Sequence, residues 1–160
     1  MVHKNKKYEI ETMLDTETIT NQVLSHDDLF VLYSSNRSGN FNAYIRSLSN
    51  GEEKQATFMT DNAVQIISFF PSDYRFLFHS DLGGNEQNHI FLCDFSGRIT
   101  DLTPSKHETA EFYCWSEDGT IFLYGSNLRN PKYMDVYEMD VSTLQSKLMY
   151  ENNNAYQFGC

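Results

Sequence analysis

Residues 70–103 read FPSDYRFLFHSDLGGNEQNHIFLCDFSGRITDLT. Aromatic and β-branched residues gather in short runs, and Pro-Ser-Asp, Gly-Gly-Asn-Glu and Ser-Gly separate them. Flat and branched side chains pack well on a pleated surface, and such breaks suit tight turns. The stretch therefore reads as strand, tight loop, strand, hairpin turn and short strand.

The same order recurs on both sides. Ser35, Ser80 and Ser126 close three equivalent apolar runs, at steps of 45 and 46 residues. Tyr44, Phe91 and Tyr137 mark the following run at steps of 47 and 46. The turn glycines Gly51 and Gly97 repeat, and so do Phe70-Pro71-Ser72-Asp73 and Trp115-Ser116-Glu117-Asp118-Gly119. A period between 40 and 50 filled with short strands is the signature of propeller blades.

The expected fold is all-β: a partial β-propeller of three four-stranded antiparallel blades plus the start of a fourth. Residues 1–18 are expected to form a polar N-terminal lead-in, with Tyr8, Ile10 and Met13-Leu14 as a short strand or strap against the ring edge; whether it is a helix or an extended arm stays open. Blade 1 is expected over 19–57, blade 2 over 63–103 and blade 3 over 109–150. Residues 151–160 are expected to open blade 4, with Tyr156 and Phe158 at its beginning. Turn residues interrupt nearly every window, which leaves no room for a long helix.

Blades bury their strands only when they flank one another around a ring. The outer blades of an arc are expected to bare apolar faces. At about 25 cal/mol per Å², a face of several hundred Å² leaves roughly 10 kcal/mol of burial unrealised. That is comparable with the whole stability of a domain. The chain is thus expected to be a piece of something longer; an arc held by a partner, or an assembly of arcs, is the alternative.

The 160 residues carry 12 Lys+Arg against 22 Asp+Glu, a formal charge of −10. Nucleic acid and anionic membranes want clustered positive charge, so neither is expected as a partner. The acidity reads as a surface kept apart by like charge, with a channel mouth that draws cationic ligands as the alternative. Cys93 and Cys114 lie in apolar strand windows and are expected to be buried free thiols, which suits a reducing compartment. The start, MVHKNKKYEIETMLD, has no apolar run behind its basic residues. A cytoplasmic location is the expectation from it.

The units resemble the N-terminal propeller of the prolyl oligopeptidase family of serine peptidases, in particular its acylaminoacyl- and dipeptidyl-peptidase-like members. The residues carrying the resemblance are Ser34 to Asn40 with Asn42, Phe70-Pro71, Arg75-Phe76 and Ser80 to Ile90. Gly97, Asp101-Leu102-Thr103-Pro104, Trp115-Ser116 and Leu148 to Asn152 complete it. The Ser-Asn-Arg-x-Gly pattern at Ser35 to Gly39 is shared with TolB-type propellers. The resemblance implies a propeller that covers a C-terminal α/β-hydrolase domain, limits access to large folded substrates and supports peptide cleavage there. The partners it implies are further C-terminal blades, that hydrolase domain and peptide substrates; a free-standing TolB-like interaction module is the alternative. The family's Ser, Asp and His lie in the hydrolase domain, and no G-x-S-x-G elbow occurs in these residues.

No catalytic, cofactor-binding or metal residue is assigned. His79 and His89 flank one hairpin and, with Asp81 or Glu86, could approach a metal. Such sites need three or four convergent ligands. A loop network in which Asp81 accepts backbone N–H bonds is expected instead. Gly83-Gly84-Asn85 precedes a strand and not a helix, so it reads as a turn and not a phosphate cradle. Asp27, Asp73 and Asp118 recur at turns, as do Asp94 and Asp140, which favours structural roles. Arg37 and Arg129 sit at equivalent loop positions, facing either a channel mouth or water.

Overall fold

The computed structural model describes Ile10 and residues 16–81 and 83–159. The lead-in at Tyr8 and Met13-Leu14 lies outside the described residues. Among the described residues twelve strands form three separate sheets. The first holds β1 (Ile19–Leu24), β2 (Phe30–Ser35), β3 (Asn42–Ser47) and β4 (Glu53–Gln55). The second holds β5 (Gln65–Phe69), β6 (Phe76–Ser80), β7 (His89–Cys93) and β8 (Ile99–Asp101). The third holds β9 (Ala110–Trp115), β10 (Ile121–Ser126), β11 (Asp135–Asp140) and β12 (Ser146–Tyr150). Neighbours in sequence are neighbours in each sheet, and every pair is antiparallel.

Register makes the sheets superimposable in chemistry. The aromatic pairs Tyr33–Tyr44, Phe78–Phe91 and Tyr124–Tyr137 stand directly across from each other and stack, with centroids 5.9, 5.3 and 5.4 Å apart. Each sheet folds its first hairpin around an aspartate whose Oδ1 accepts a backbone N–H two residues on. The pairs are Asp27–Leu29, Asp73–Arg75 and Asp118–Thr120. Asp94 and Asp140 hold the third hairpin of their sheets in the same way, accepting from Ser96 and Ser142. At Gly119, φ is +68° and an added Cβ would lie 2.9 Å from Pro71, so this turn also sets the approach of sheets two and three.

The core lies between sheets. Leu32 and Ala43 of the first sheet meet Phe69, Phe76, Phe78, Phe91 and Cys93 of the second. Leu77, Ile90 and Leu92, on the other face of the second sheet, meet Phe122, Tyr124 and Met139 of the third. Period-two alternation thus gives the middle sheet two buried faces, which is why FLFHS and HIFLC are apolar throughout. Backbone and side chain sew the same seams. Val64 N–H donates to Phe41 O and Ala110 N–H to Asn88 O. Ile66 N–H donates to Ser34 Oγ, and Phe112 N–H donates to His79 Nε2.

The two outward faces differ. Tyr33 and Tyr44 turn away from the second sheet, yet they are only 6% and 5% exposed. Arg37 lies across them with its guanidinium carbon 3.8 Å from the Tyr44 ring centroid. Arg37 also reaches Glu53 at 2.5 Å and Glu17 at 3.7 Å. A polar lid therefore replaces the bare apolar face expected of blade 1, because one guanidinium can cover a ring and satisfy carboxylates at once. The far side of the third sheet is more open: Leu148, Met149 and Tyr150 are exposed, and Phe158 stacks on Tyr113 at 5.1 Å. Residues 151–159 carry no strand.

One cysteine reading is corrected. Cys93 is buried and free, but Cys114 is disulfide-bonded. Alternation along β9 sends Trp115 into the seam with sheet two and Cys114, opposite Leu123, to the outward face. An apolar window did not reveal which face its thiol would take.

Candidate functional site

The end of the arc where β2, β6 and β10 finish gathers the three serines marked by the repeat and both arginines of the equivalent loops. Ser35, Ser80 and Ser126 sit there, buried, at the last position of their strands. Ser35 Oγ donates to Glu17 at 2.7 Å and accepts from Arg37 N–H. Ser126 donates to buried Glu108 and accepts from Leu128 N–H. Burial pushes the Glu108 carboxyl up. Thr18 N–H donates to Asn36 Oδ1, and Thr109 N–H to Asn127 Oδ1, both at 2.7 Å. Glu-Thr before the first strand and Ser-Asn after the second thus form one clasp, used in sheets one and three. In sheet two Asn62 replaces the glutamate and accepts from Gly83 N–H at 2.8 Å. These serines and carboxylates hold strand ends; their partners are already taken.

The next position in each sheet ties down the chain that leaves the outer strand. Asn42 Oδ1 accepts from Thr57 Oγ1 and Met59 N–H. Buried Asp135 accepts from Asn152 N–H at 2.7 Å and from both Arg129 Nε and Nη2, at 2.7 and 2.8 Å. The guanidinium beside Asp135 holds its carboxyl below the usual range. His89 fills the same place in sheet two with Nδ1 2.8 Å from Asp101 Oδ2, and its ring is fully buried. The three equivalent residues differ in identity, so repeat matching could not find this element.

Arg37 and Arg129 each fold back on a carboxylate of their own sheet, Glu53 and Asp135, and stay partly exposed. His79 pairs with Ile90 and His89 with Ser80, so alternation points the two imidazoles to opposite faces. Among the described residues no group of three or more His, Cys, Asp or Glu is placed to hold a metal. Asp81 accepts from Glu86 N–H, inside its own loop.

His79 has a testable consequence. Burial pulls its pKa down to about 4, and its Nε2 must stay unprotonated to accept from Phe112 N–H. The unfolded imidazole takes a proton near its ordinary 6.5, the folded one only near 4. Stability from this group is complete above pH 6.5 and falls as pH drops toward 4, by about 2 to 3 kcal/mol. Urea midpoints across that interval should show the slope, and His79→Gln, whose carbonyl can accept the same N–H, should flatten it. An equal slope in both proteins would remove His79 from the account.

The three sheets and their shared seams define a class: a partial, multi-bladed β-propeller of the type carried by TolB and prolyl-oligopeptidase-type proteins. The chain is 30% identical over 139 residues to dipeptidyl aminopeptidase BIII of Pseudoxanthomonas mexicana, a match covering 83% of this chain and 20% of that protein. It is similar in fold to TolB from Acinetobacter baumannii (TM-score 0.64, 18% identity, 88% of this chain and 34% of that one). A structure of a prolyl endopeptidase gives TM-score 0.64 at 13% identity, over 84% of this chain and 22% of that one. No protein-family model matches. The chain thus spans about a fifth of the curated relative it matches.

The cytoplasmic expectation is overturned. TolB, among the nearest in fold, is a periplasmic protein. The disulfide at Cys114 also belongs to oxidising compartments and not to a thiol-reducing cytosol. The absence of an apolar leader in these residues carried no weight against either observation.

Proposed function

We propose that this chain is the propeller portion of a serine peptidase of the prolyl oligopeptidase type. In this reading it shields a C-terminal α/β-hydrolase domain, admits short peptides and keeps large folded substrates out. The observation that carries it is the 30% identity over 139 residues to dipeptidyl aminopeptidase BIII, well above the identities to other propellers of similar shape. Residues 19–57, 63–103 and 109–150 serve as consecutive blades and 151–160 as the approach to a fourth. Catalysis belongs to the hydrolase domain in this reading; Ser35 and Ser126 are committed to strand ends.

The test is the gene past codon 160, together with the activity of the chain itself. Further blades followed by a G-x-S-x-G hydrolase are expected, and no turnover of dipeptidyl-arylamide substrates by residues 1–160 alone. Turnover by this chain, or a reading frame with no hydrolase, rejects the proposal. The fold match to TolB supports a second reading, a non-catalytic interaction module. A frame that completes a ring of blades and then stops would favour it.

A further inference from the structure

The seam between sheets one and two contains a cavity of about 350 Å³. Its deep wall is Phe69, Phe76 and Cys93, all nearly fully buried. At its mouth stand Phe58 and Phe95, 75% and 69% exposed. Both sheets that bound it lie within the described residues.

The equivalent place in the seam between sheets two and three is filled, and register shows with what. Phe69 pairs with Phe76 as Trp115 pairs with Phe122. Cys93 pairs with Phe76 as Met139 pairs with Phe122. Ala56 N–H donates to Ala43 O as Leu102 N–H donates to Ile90 O. Trp115, Met139 and Leu102 all pack in the second seam. Phe69, Cys93 and Ala56 line the cavity in the first. Three smaller side chains at one spot of a repeating frame open a room that the frame otherwise fills. A void lined by apolar side chains costs stability. Its volume falls within the range of small-molecule sites, whose walls are mostly aromatic with a few polar groups.

The charge at the rim selects the ligand. Asp94 accepts from Ser96 and Arg98 N–H groups of its own turn. Lys54 has no ion-pair partner among the described residues; at the Cys93 thiol on the cavity wall its charge opposes that of Asp94, which acts there more strongly. Lys54 is the rim group that can meet a carboxylate.

We propose that this inter-blade cavity is a binding site for a flat aromatic anion. One or two fused rings enter between Phe58 and Phe95, and a carboxylate meets Lys54. The site is independent of any peptidase activity, and its test reads binding alone.

The probes are 2-naphthoate and, as its neutral counterpart, 2-naphthol, titrated into the whole chain at pH 7 by calorimetry. Saturable binding of both is expected, tighter for the carboxylate. Lys54→Gln should weaken 2-naphthoate about tenfold and leave 2-naphthol within about twofold. Cys93→Met and Ala56→Leu, made separately, each restore the residue of the filled seam and should weaken both probes at least about fivefold. Either variant suffices if the other fails to fold. Absence of saturation, or binding unchanged by both filling variants, overturns the site. Equal loss of the two probes in Lys54→Gln overturns the anionic ligand class.

Discussion

Phe122→Ala is expected to cost about 3 to 5 kcal/mol, the range for truncating a fully buried large aromatic. Phe122 has no exposed surface and meets three other rings. Trp115 meets it edge-on at 5.4 Å, Phe112 lies at 5.7 Å and Tyr124 at 6.0 Å. It also backs onto Met139 across the ladder. The neighbours are held by Trp115 Nε1–H donating to Ser68 Oγ at 3.1 Å and by backbone ladders, so they cannot collapse into the gap. Such a loss is a large part of the 5–15 kcal/mol that stabilises an ordinary domain. Urea unfolding should show a lower midpoint at unchanged slope. Leu128→Ala, on an exposed side chain, should move it by no more than about 0.5 kcal/mol. A cost below about 1 kcal/mol for Phe122→Ala would mean that the second seam is not the packed interface described here.

Arg129→Ala is expected to cost nearly as much, about 3 kcal/mol, for a different reason. Asp135 has no exposed side-chain surface and faces the forked guanidinium with two hydrogen bonds of 2.7 and 2.8 Å. Removing the arginine leaves a buried carboxylate with only the Asn152 N–H, at 2.7 Å. The same side chain also bonds Asn152 O at 3.1 Å and Asn153 Oδ1 at 3.2 Å, so the chain leaving β12 should loosen. Arg129 is itself a third exposed, which places the effect at the lower end of the range for broken buried pairs. Adding Asp135→Asn to Arg129→Ala removes the stranded charge and should recover a measurable part of the loss. A double-mutant cycle without coupling would show that solvent already screens the pair.

The all-β arc was legible in the chain because two signals agree: apolar runs of strand length and a turn chemistry repeated every 45 or 46 residues. Asp27, Asp73 and Asp118 could be read as turn-holders because each acts on a backbone N–H two residues away, a local interaction. The clasp of Glu17 with Ser35 and of Glu108 with Ser126 was within reach, since Glu-Thr and Ser-Asn recur together. The tie at Asn42, His89 and Asp135 was not: an amide, an imidazole and a carboxylate do the same work and leave no shared letter.

The order of residues alone determined which segments become strands and where each hairpin turns, since a strand's period and a turn's capping are settled within a few residues. Only packing between sheets decided the rest. It set Trp115 against Ser68 of the second sheet, leaving Cys114 outward in a disulfide, and left the room beside Cys93 that Met139 fills one blade later. Those outcomes depend on side chains some 20 to 50 positions apart meeting across a seam, and neither hydropathy nor local turn chemistry records which of them will touch.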